Sequence, residues 1–210
     1  MSETPIWYRE AISRAVEDAL TALSTMPFFS AFYLAGGTGL ALKFGHRCSV
    51  DLDFFSAEPV DEEALLAALR PLTPLSVLGK APQTLHLLLR GTKVSFIGYP
   101  YPLLFSTATF SGVKVADPRD IACMKLSAIA SRGTRRDFVD LYVAAKAYTL
   151  GELLALFQRK FAGTDYNRVH LLKSLSYFED AESDPPLAML TEIPWAEVKS
   201  FFNREVPALL

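Results

Sequence analysis

Two aspartates spaced by one residue and a pair of glycines lie within one stretch, Tyr33 to Ser56, whose chemistry suits a cation and a phosphate. Asp51 and Asp53 fall in Val50 to Phe55, a run that alternates as a strand does. Val50, Leu52 and Phe54 share one face, and the two carboxylates share the other. Carboxylates held that close repel in water. With Mg²⁺ between them they become a seat for a hard cation, with room left for substrate phosphates. Gly36-Gly37 ends the apolar run Phe32 to Ala35, which reads as a buried strand. A glycine pair lets the chain turn tightly and lets a ligand approach without meeting a Cβ. Thr38 is placed to cap a helix from Gly39 to Phe44, and Gly45 is placed to end it. A helix N-terminus emerging from such a turn offers free N–H groups to an anion. Either motif alone is ordinary, since Asp-x-Asp is common on solvent-facing strand edges and Gly-Gly in turns. Together, on neighbouring predicted strands, they point to a phosphate-and-metal site.

Other elements must position this stretch. Thr4 to Met26 predicts one helix, with Thr4 as cap and Pro5 at its first position. Asp61-Glu62-Glu63 makes an acidic first turn for a helix to Leu69, closed by Pro71. Strands are expected at Leu75–Leu78, Thr84–Leu89 and Lys93–Ile97, with Gly91-Thr92 as the turn between the last two, and at Val113–Ala116. The aromatic, proline-rich run Gly98 to Pro102 reads as a packed loop. Asp117-Pro118 opens a helix to about Ser131, on which Lys125 shares a face with Arg132, seven residues on. That pair could grip a triphosphate, although on spacing alone two snorkelling surface cations are the better reading. Gly133 breaks the helix, and Thr134-x-x-Asp137 is a capping pattern for the next. Asp140 faces the side of Asp137 and is expected to brace Arg132, Arg135 or Arg136. Beyond Lys146, helices are expected over Leu150 to Phe161, Asn167 to Phe178 and Trp195 to Asn203, with 179–186 as a loop. Arg159, Lys160, Arg168, His170 and Lys173 read as a solvated basic face.

The chain has 210 residues, half of them apolar, enough for one domain with a helical extension. A net charge of −2 leaves no global basic footprint for nucleic acid, so any such contact would be local. Cys48 and Cys123 have no metal-ligand spacing and read as free thiols. No apolar core follows Ser2-Glu3-Thr4-Pro5, and no run reaches the length of a membrane span. The expectation is a soluble cytoplasmic protein without a membrane partner.

Gly36-Gly37-Thr38, followed by His46-Arg47-Cys48-Ser49-Val50-Asp51-Leu52-Asp53-Phe54-Phe55, resembles the AbiEii/AbiGii-type nucleotidyltransferase toxin family, within the polymerase-β-like nucleotidyltransferase superfamily. Lys125 to Arg132, followed by Arg136-Asp137-Phe138-Val139-Asp140-Leu141, is similar to that family's second block. The resemblance spans roughly Ala31 to Lys146, a little over half of the chain. It implies an α+β fold: a nucleotidyltransferase core with a mixed sheet flanked by helices over 1–116, and a helical C-terminal part over 117–210. It further implies transfer of a nucleoside monophosphate from a nucleoside triphosphate to a hydroxyl of RNA, tRNA or protein. Asp51 and Asp53 would hold Mg²⁺, with Mn²⁺ as the alternative. Gly36, Gly37, Thr38, Arg47, Ser49 and Lys125 would serve the nucleotide phosphates, Ser49 by orienting a metal-bound water. Many superfamily enzymes carry a third carboxylate on the strand after the Asp-x-Asp hairpin, where this chain has Ser95. A hydroxyl is neither an anionic ligand nor a base, so one metal or a base from elsewhere is implied. Asp137 is the candidate for that base, or else it positions Lys125. The biological role implied is the toxin of a toxin–antitoxin or phage-defence pair, with a cognate antitoxin as partner. Two alternatives share the first motif: a nucleotide-binding module without turnover, which Ser95 supports, and a nucleotidyltransferase acting on a small molecule.

Overall fold

The computed structural model describes residues 5–209, so the expected cap at Thr4 lies outside it. The apolar residues that precede the motif do not form one helix. A 3₁₀ turn at Arg9–Ala11 is followed by α1, Arg14–Ser24, which is capped by Ser13 accepting from the Val16 amide. Val16, Ala19, Leu20 and Leu23 bury one face of α1.

Seven strands form one mixed sheet in the order β3-β4-β5-β2-β1-β7-β6. The two short central strands are β1, Tyr33–Leu34, and β2, Asp51–Ser56, antiparallel with Leu34 opposite Phe54. Between them α2, Gly36–Phe44, crosses one face of the sheet. On the far side of β2 run β3, Leu75–Ala81, β4, Thr84–Leu89, and β5, Thr92–Gly98. β5 is parallel to β2, while β3 and β4 are joined antiparallel. The β4–β5 turn is Arg90-Gly91, one residue earlier than expected; φ is positive at both residues, as a two-residue hairpin turn requires. β7, Val113–Val115, lies parallel to β1, and β6, Ala108–Phe110, edges the sheet, a strand absent from the sequence reading.

The sheet's two faces do different work. Leu52, Phe54, Leu85, Leu87, Val94 and Phe96 pack with α1 and with α3, Glu62–Leu69, in one apolar core. Asp61 caps α3 as its sequence suggests, accepting from the Glu63 and Ala64 amides. Val50 breaks the expected alternation: it precedes β2 and is 64% exposed, because the chain at Ser49 is still bridged to Ile12 rather than to the sheet.

The opposite face carries the polar residues, and helices close over it. α4, Pro118–Ser131, and α5, Arg135–Tyr148, build a second core with α6, Leu150–Lys160, α7, Arg168–Ser174, and α9, Trp195–Glu205. The expected loop at 179–186 contains a short helix, α8, Glu179–Glu182, which lays Ala181 into this core. Lys160 does not join a solvated face. It is buried and donates to Asp120 and to the Pro102 carbonyl, because Asp120 would otherwise be a lone buried charge. Tyr99 and Tyr101 pack edge-on against Phe55 and Phe161, which makes 99–102 a packed loop as expected, while Gly98 still belongs to β5.

Candidate active site

α2 begins at Gly36, three residues before the expected start. Gly36 takes φ +61°, a conformation open to glycine, and so folds the helix directly out of β1. The first intrahelical bond runs from the Gly39 amide to the Ala35 carbonyl. The amides of Gly36, Gly37 and Thr38 therefore have no helical acceptor, and they line a cleft. Thr38 is not a cap. Its hydroxyl donates to the Asp51 carbonyl and hydrogen-bonds the Ser49 hydroxyl at 2.8 Å, tying the helix start to the motif strand.

The cleft, about 580 Å³, brings Gly36, Gly37, Thr38, Arg47, Ser49, Asp51, Asp53 and Lys125 together, as the sequence predicts. Asp51 and Asp53 share the cavity-facing side of β2 and are partly exposed. Asp53 sits against the glycine turn: a Cβ on Gly36 would lie 2.9 Å from its Oδ2. Arg136 on α5 reaches within 3.6 Å of Asp51 Oδ2. Two hard oxygen donors on one side of a strand, open to the cleft, fit one Mg²⁺ whose remaining ligands are waters and substrate oxygens. Among the described residues no third acid or imidazole joins them in a ligand cluster. Ser95 sits directly opposite Asp53 in the β2–β5 ladder, where the third carboxylate is expected.

Behind the cleft lies a buried ion network. Asp140 is fully buried and accepts Arg47 Nε at 2.7 Å and Nη2 at 2.9 Å, His46 Nε2 at 2.8 Å and Lys125 Nζ at 2.7 Å. It does not brace Arg132, Arg135 or Arg136, because its place on α5 turns it inward toward the loop after α2. Asp137, equally buried, accepts Lys125 Nζ at 2.8 Å, Arg132 Nε at 2.9 Å and Nη2 at 3.2 Å, and the Thr134 hydroxyl at 2.6 Å. Burial pushes the Asp137 carboxyl up, but Lys125 and Arg132 outweigh it and hold it at about 2. Burial also opposes ionisation of Asp140, and Lys125, Arg47 and His46 overcome it, leaving that carboxyl well below the usual range. Asp137, the base candidate of the sequence, has no exposure, four donors and no place on the cleft wall; its contacts put it behind Lys125. Arg47 is likewise absorbed into the scaffold, its third contact being the Cys48 carbonyl. Cys123 is buried, and burial pushes its thiol up to about 12.

Several lining residues escaped the sequence reading. They are His86, Lys93 and Arg136, and a strap at 186–188. The strap is held by the Cys48 amide donating to Ala188 O and by the Leu190 amide donating to His46 O. The glycine turn admits no substitution. Gly36→Ala forces an L-residue to φ +61° against Asp53, and a Cβ on Gly37 collides with the Arg47 guanidinium, which Asp140 pins. Each is expected to lower unfolding stability by about 1–3 kcal/mol and to weaken anion binding. Urea unfolding and calorimetry with a nucleoside triphosphate check this; wild-type values in both would refute the close-approach argument.

A model of the nucleotidyl transferase AbiEii toxin family, a type IV toxin–antitoxin system, matches residues 18–86 and 90–208. The uncharacterized protein aq_aa25 of Aquifex aeolicus (strain VF5) is 37% identical over 205 residues, covering 95% of this chain and 98% of that protein. MenT4, a nucleotidyltransferase toxin of Mycobacterium tuberculosis H37Rv, superposes with a TM-score of 0.59 at 16% identity, over 89% of this chain and 82% of that one. JHP933 from Helicobacter pylori does so with 0.54 at 18% identity, over 94% and 93%. The antibiotic-resistance factor ANT(2'')-Ia gives 0.51 at 12% identity, over 71% and 94%. At these identities the solved structures speak for the fold alone, which is α+β and polymerase-β-like.

Proposed function

The chain belongs to the AbiEii nucleotidyl transferase toxin family, and on that premise we propose that it moves a nucleoside monophosphate from a nucleoside triphosphate to an acceptor hydroxyl. The observation that carries this is the juxtaposition, in one cleft, of the helix-start amides at Gly36, Gly37 and Thr38 with Asp51 and Asp53. Amides without helical acceptors bind phosphate oxygens at little reorganisation cost. Lys125 has three N–H donors; two are spent on Asp137 and Asp140, which leaves one to point a fixed cation at the triphosphate. Arg132 and Arg136, both half-exposed at the cleft, add positive charge there. Arg47 holds the glycine turn in place, and Ser49 holds Thr38.

Asp51 and Asp53 would hold Mg²⁺, or Mn²⁺ in its stead, and that ion would neutralise charge on the phosphoryl group during in-line displacement. The acceptor is a hydroxyl of tRNA or protein, and a cognate antitoxin is the expected partner. Ser95 beside Asp53 favours one second reading, a module that binds nucleotide without turnover.

The test is label transfer from each α-labelled nucleoside triphosphate to total cellular RNA and protein, with Mg²⁺. Wild type is expected to label one of them, and Asp51→Ala/Asp53→Ala to label neither. Mg²⁺-dependent nucleotide binding without label on any acceptor would replace the enzyme by the binding module.

A further inference from the structure

Strand register sets four residues in a row across the sheet: Asp53 on β2, Ser95 on β5, His86 on β4 and Gly79 on β3. Residues directly opposite in a ladder project to the same side. Asp53, Ser95 and His86 accordingly all line the cleft. His86 Nδ1 lies 3.0 Å from Ser95 Oγ, and Ser95 is 3% exposed, so its hydroxyl is aimed rather than free. Gly79 leaves the outer edge of the imidazole uncovered: a Cβ there would meet only His86 Cδ2, at 3.9 Å.

The transfer needs somewhere for the acceptor's proton to go. Asp51 and Asp53 are committed to the cation, and Asp137 and Asp140 to the ion network. Among the described residues His86 is the one imidazole on the cleft wall, since His46 is buried on Asp140 and His170 bonds the Ala130 carbonyl. Imidazole titrates in the range where such a base works.

We propose that Ser95 and His86 form the proton-accepting pair of the transfer reaction, in the position where the third carboxylate is missing; this rests on the nucleotidyl-transfer reading above. The acceptor oxygen bonds to the α-phosphorus, and the bond from that phosphorus to the bridging oxygen breaks, its electron pair leaving with pyrophosphate. The acceptor's proton passes to Ser95 Oγ as the Ser95 proton passes to His86 Nδ1. The imidazolium then releases one proton to water, and exchange with solvent across the side that Gly79 leaves open returns the ring to its Nε2–H form. The pair requires the neutral ring to carry its proton on Nε2. The charged groups lining the cleft with it are Arg47 after α2, Asp51 and Asp53 on β2, Lys93 on β5, Lys125 on α4, Arg132 just past the end of α4, and Arg136 on α5. On β3, Lys80 is turned away to Glu63 on α3.

The experiment measures steady-state label transfer against pH for wild type, His86→Gln, Ser95→Ala, Ser95→Thr and Asp53→Asn, together with ¹⁵N NMR of the His86 ring in wild type. His86→Gln and Ser95→Ala are each expected to lower kcat by about 10²-fold or more with the nucleotide KM unchanged. The double variant should be no worse than either single one, since the residues act as a unit. The acidic limb of the wild-type pH profile should vanish in His86→Gln, and Ser95→Thr should recover most of the Ser95→Ala loss. The NMR should show the Nε2–H tautomer. Wild-type kcat or a retained acidic limb in His86→Gln, while Asp53→Asn is dead, would overturn this proposal and leave the nucleotidyl-transfer reading standing. An Nδ1–H tautomer, with the ring donating to Ser95, would overturn it without reference to activity. No transfer by wild type would overturn the parent reading and this proposal with it.

Discussion

Asp140→Ala is expected to lower the free energy of unfolding by about 3–5 kcal/mol and to abolish nucleotidyl transfer. The carboxylate is fully buried, and its removal strands three groups at once: the Arg47 guanidinium, the His46 ring and half of the Lys125 ammonium. An unpartnered charge in the interior costs far more than the pair gained when it was made. The exposed pair Lys80–Glu63 is the contrast. Glu63→Ala should fall within about 1 kcal/mol of wild type, because solvent already screens that pair. The activity loss follows from geometry. Arg47 lies against Gly37, and Asp140 holds it there through two parallel bonds, so losing Asp140 unlocks the turn that presents the amides. Removing both partners, as in Arg47→Met/Asp140→Leu, should destabilise less than the two single changes summed, since no charge is then left alone. Urea unfolding gives the stabilities and label transfer the activities. An Asp140→Ala midpoint matching that of Glu63→Ala would show that the network does not hold the site together.

The parts of the site readable in the sequence are those set by local pattern. Alternation placed Asp51 and Asp53 on one face of a strand, while Ser95 matches the missing acid only through the family resemblance, and the register sets it opposite Asp53. The helix start was misread because Thr38 is a good cap by type, whereas a glycine in a left-handed conformation could open the helix three residues earlier. Long-range partners were not readable. Asp140 meets Arg47 across 93 residues and Lys160 meets Asp120 across 40, and neither spacing has a local signature. His86 was nearly within reach. A two-residue turn at Arg90-Gly91 fixes His86 opposite Ser95, whereas moving that turn one residue on pairs Ser95 with Leu88 instead. The strap at 186–188 carries neither a motif nor a period, so only tertiary structure brings it to the cleft.

The same network makes acid the condition that should unfold this protein, and the sign follows from its carboxylates. Asp137 sits at about 2 in the folded chain against an ordinary 3.8, so between those values the unfolded chain binds more protons. A depressed carboxylate stabilises the fold fully above its unfolded value, and that contribution drains away as pH falls toward the folded one. Asp137 alone therefore removes about 2 kcal/mol between roughly pH 5 and pH 2. Asp140 is shifted in the same direction and adds to the loss. Salt should change little of this, because both carboxylates are buried and the Debye screening that weakens surface pairs does not reach them. Urea midpoints taken from pH 6 down to pH 2, at low and high salt, are the measurement. The expected result is a steady fall below about pH 5, reduced in slope for Asp137→Asn, whose amide has no proton to gain. A flat profile over that range, or an unchanged slope in Asp137→Asn, would mean that Lys125 is held at the cleft by something other than these two ions.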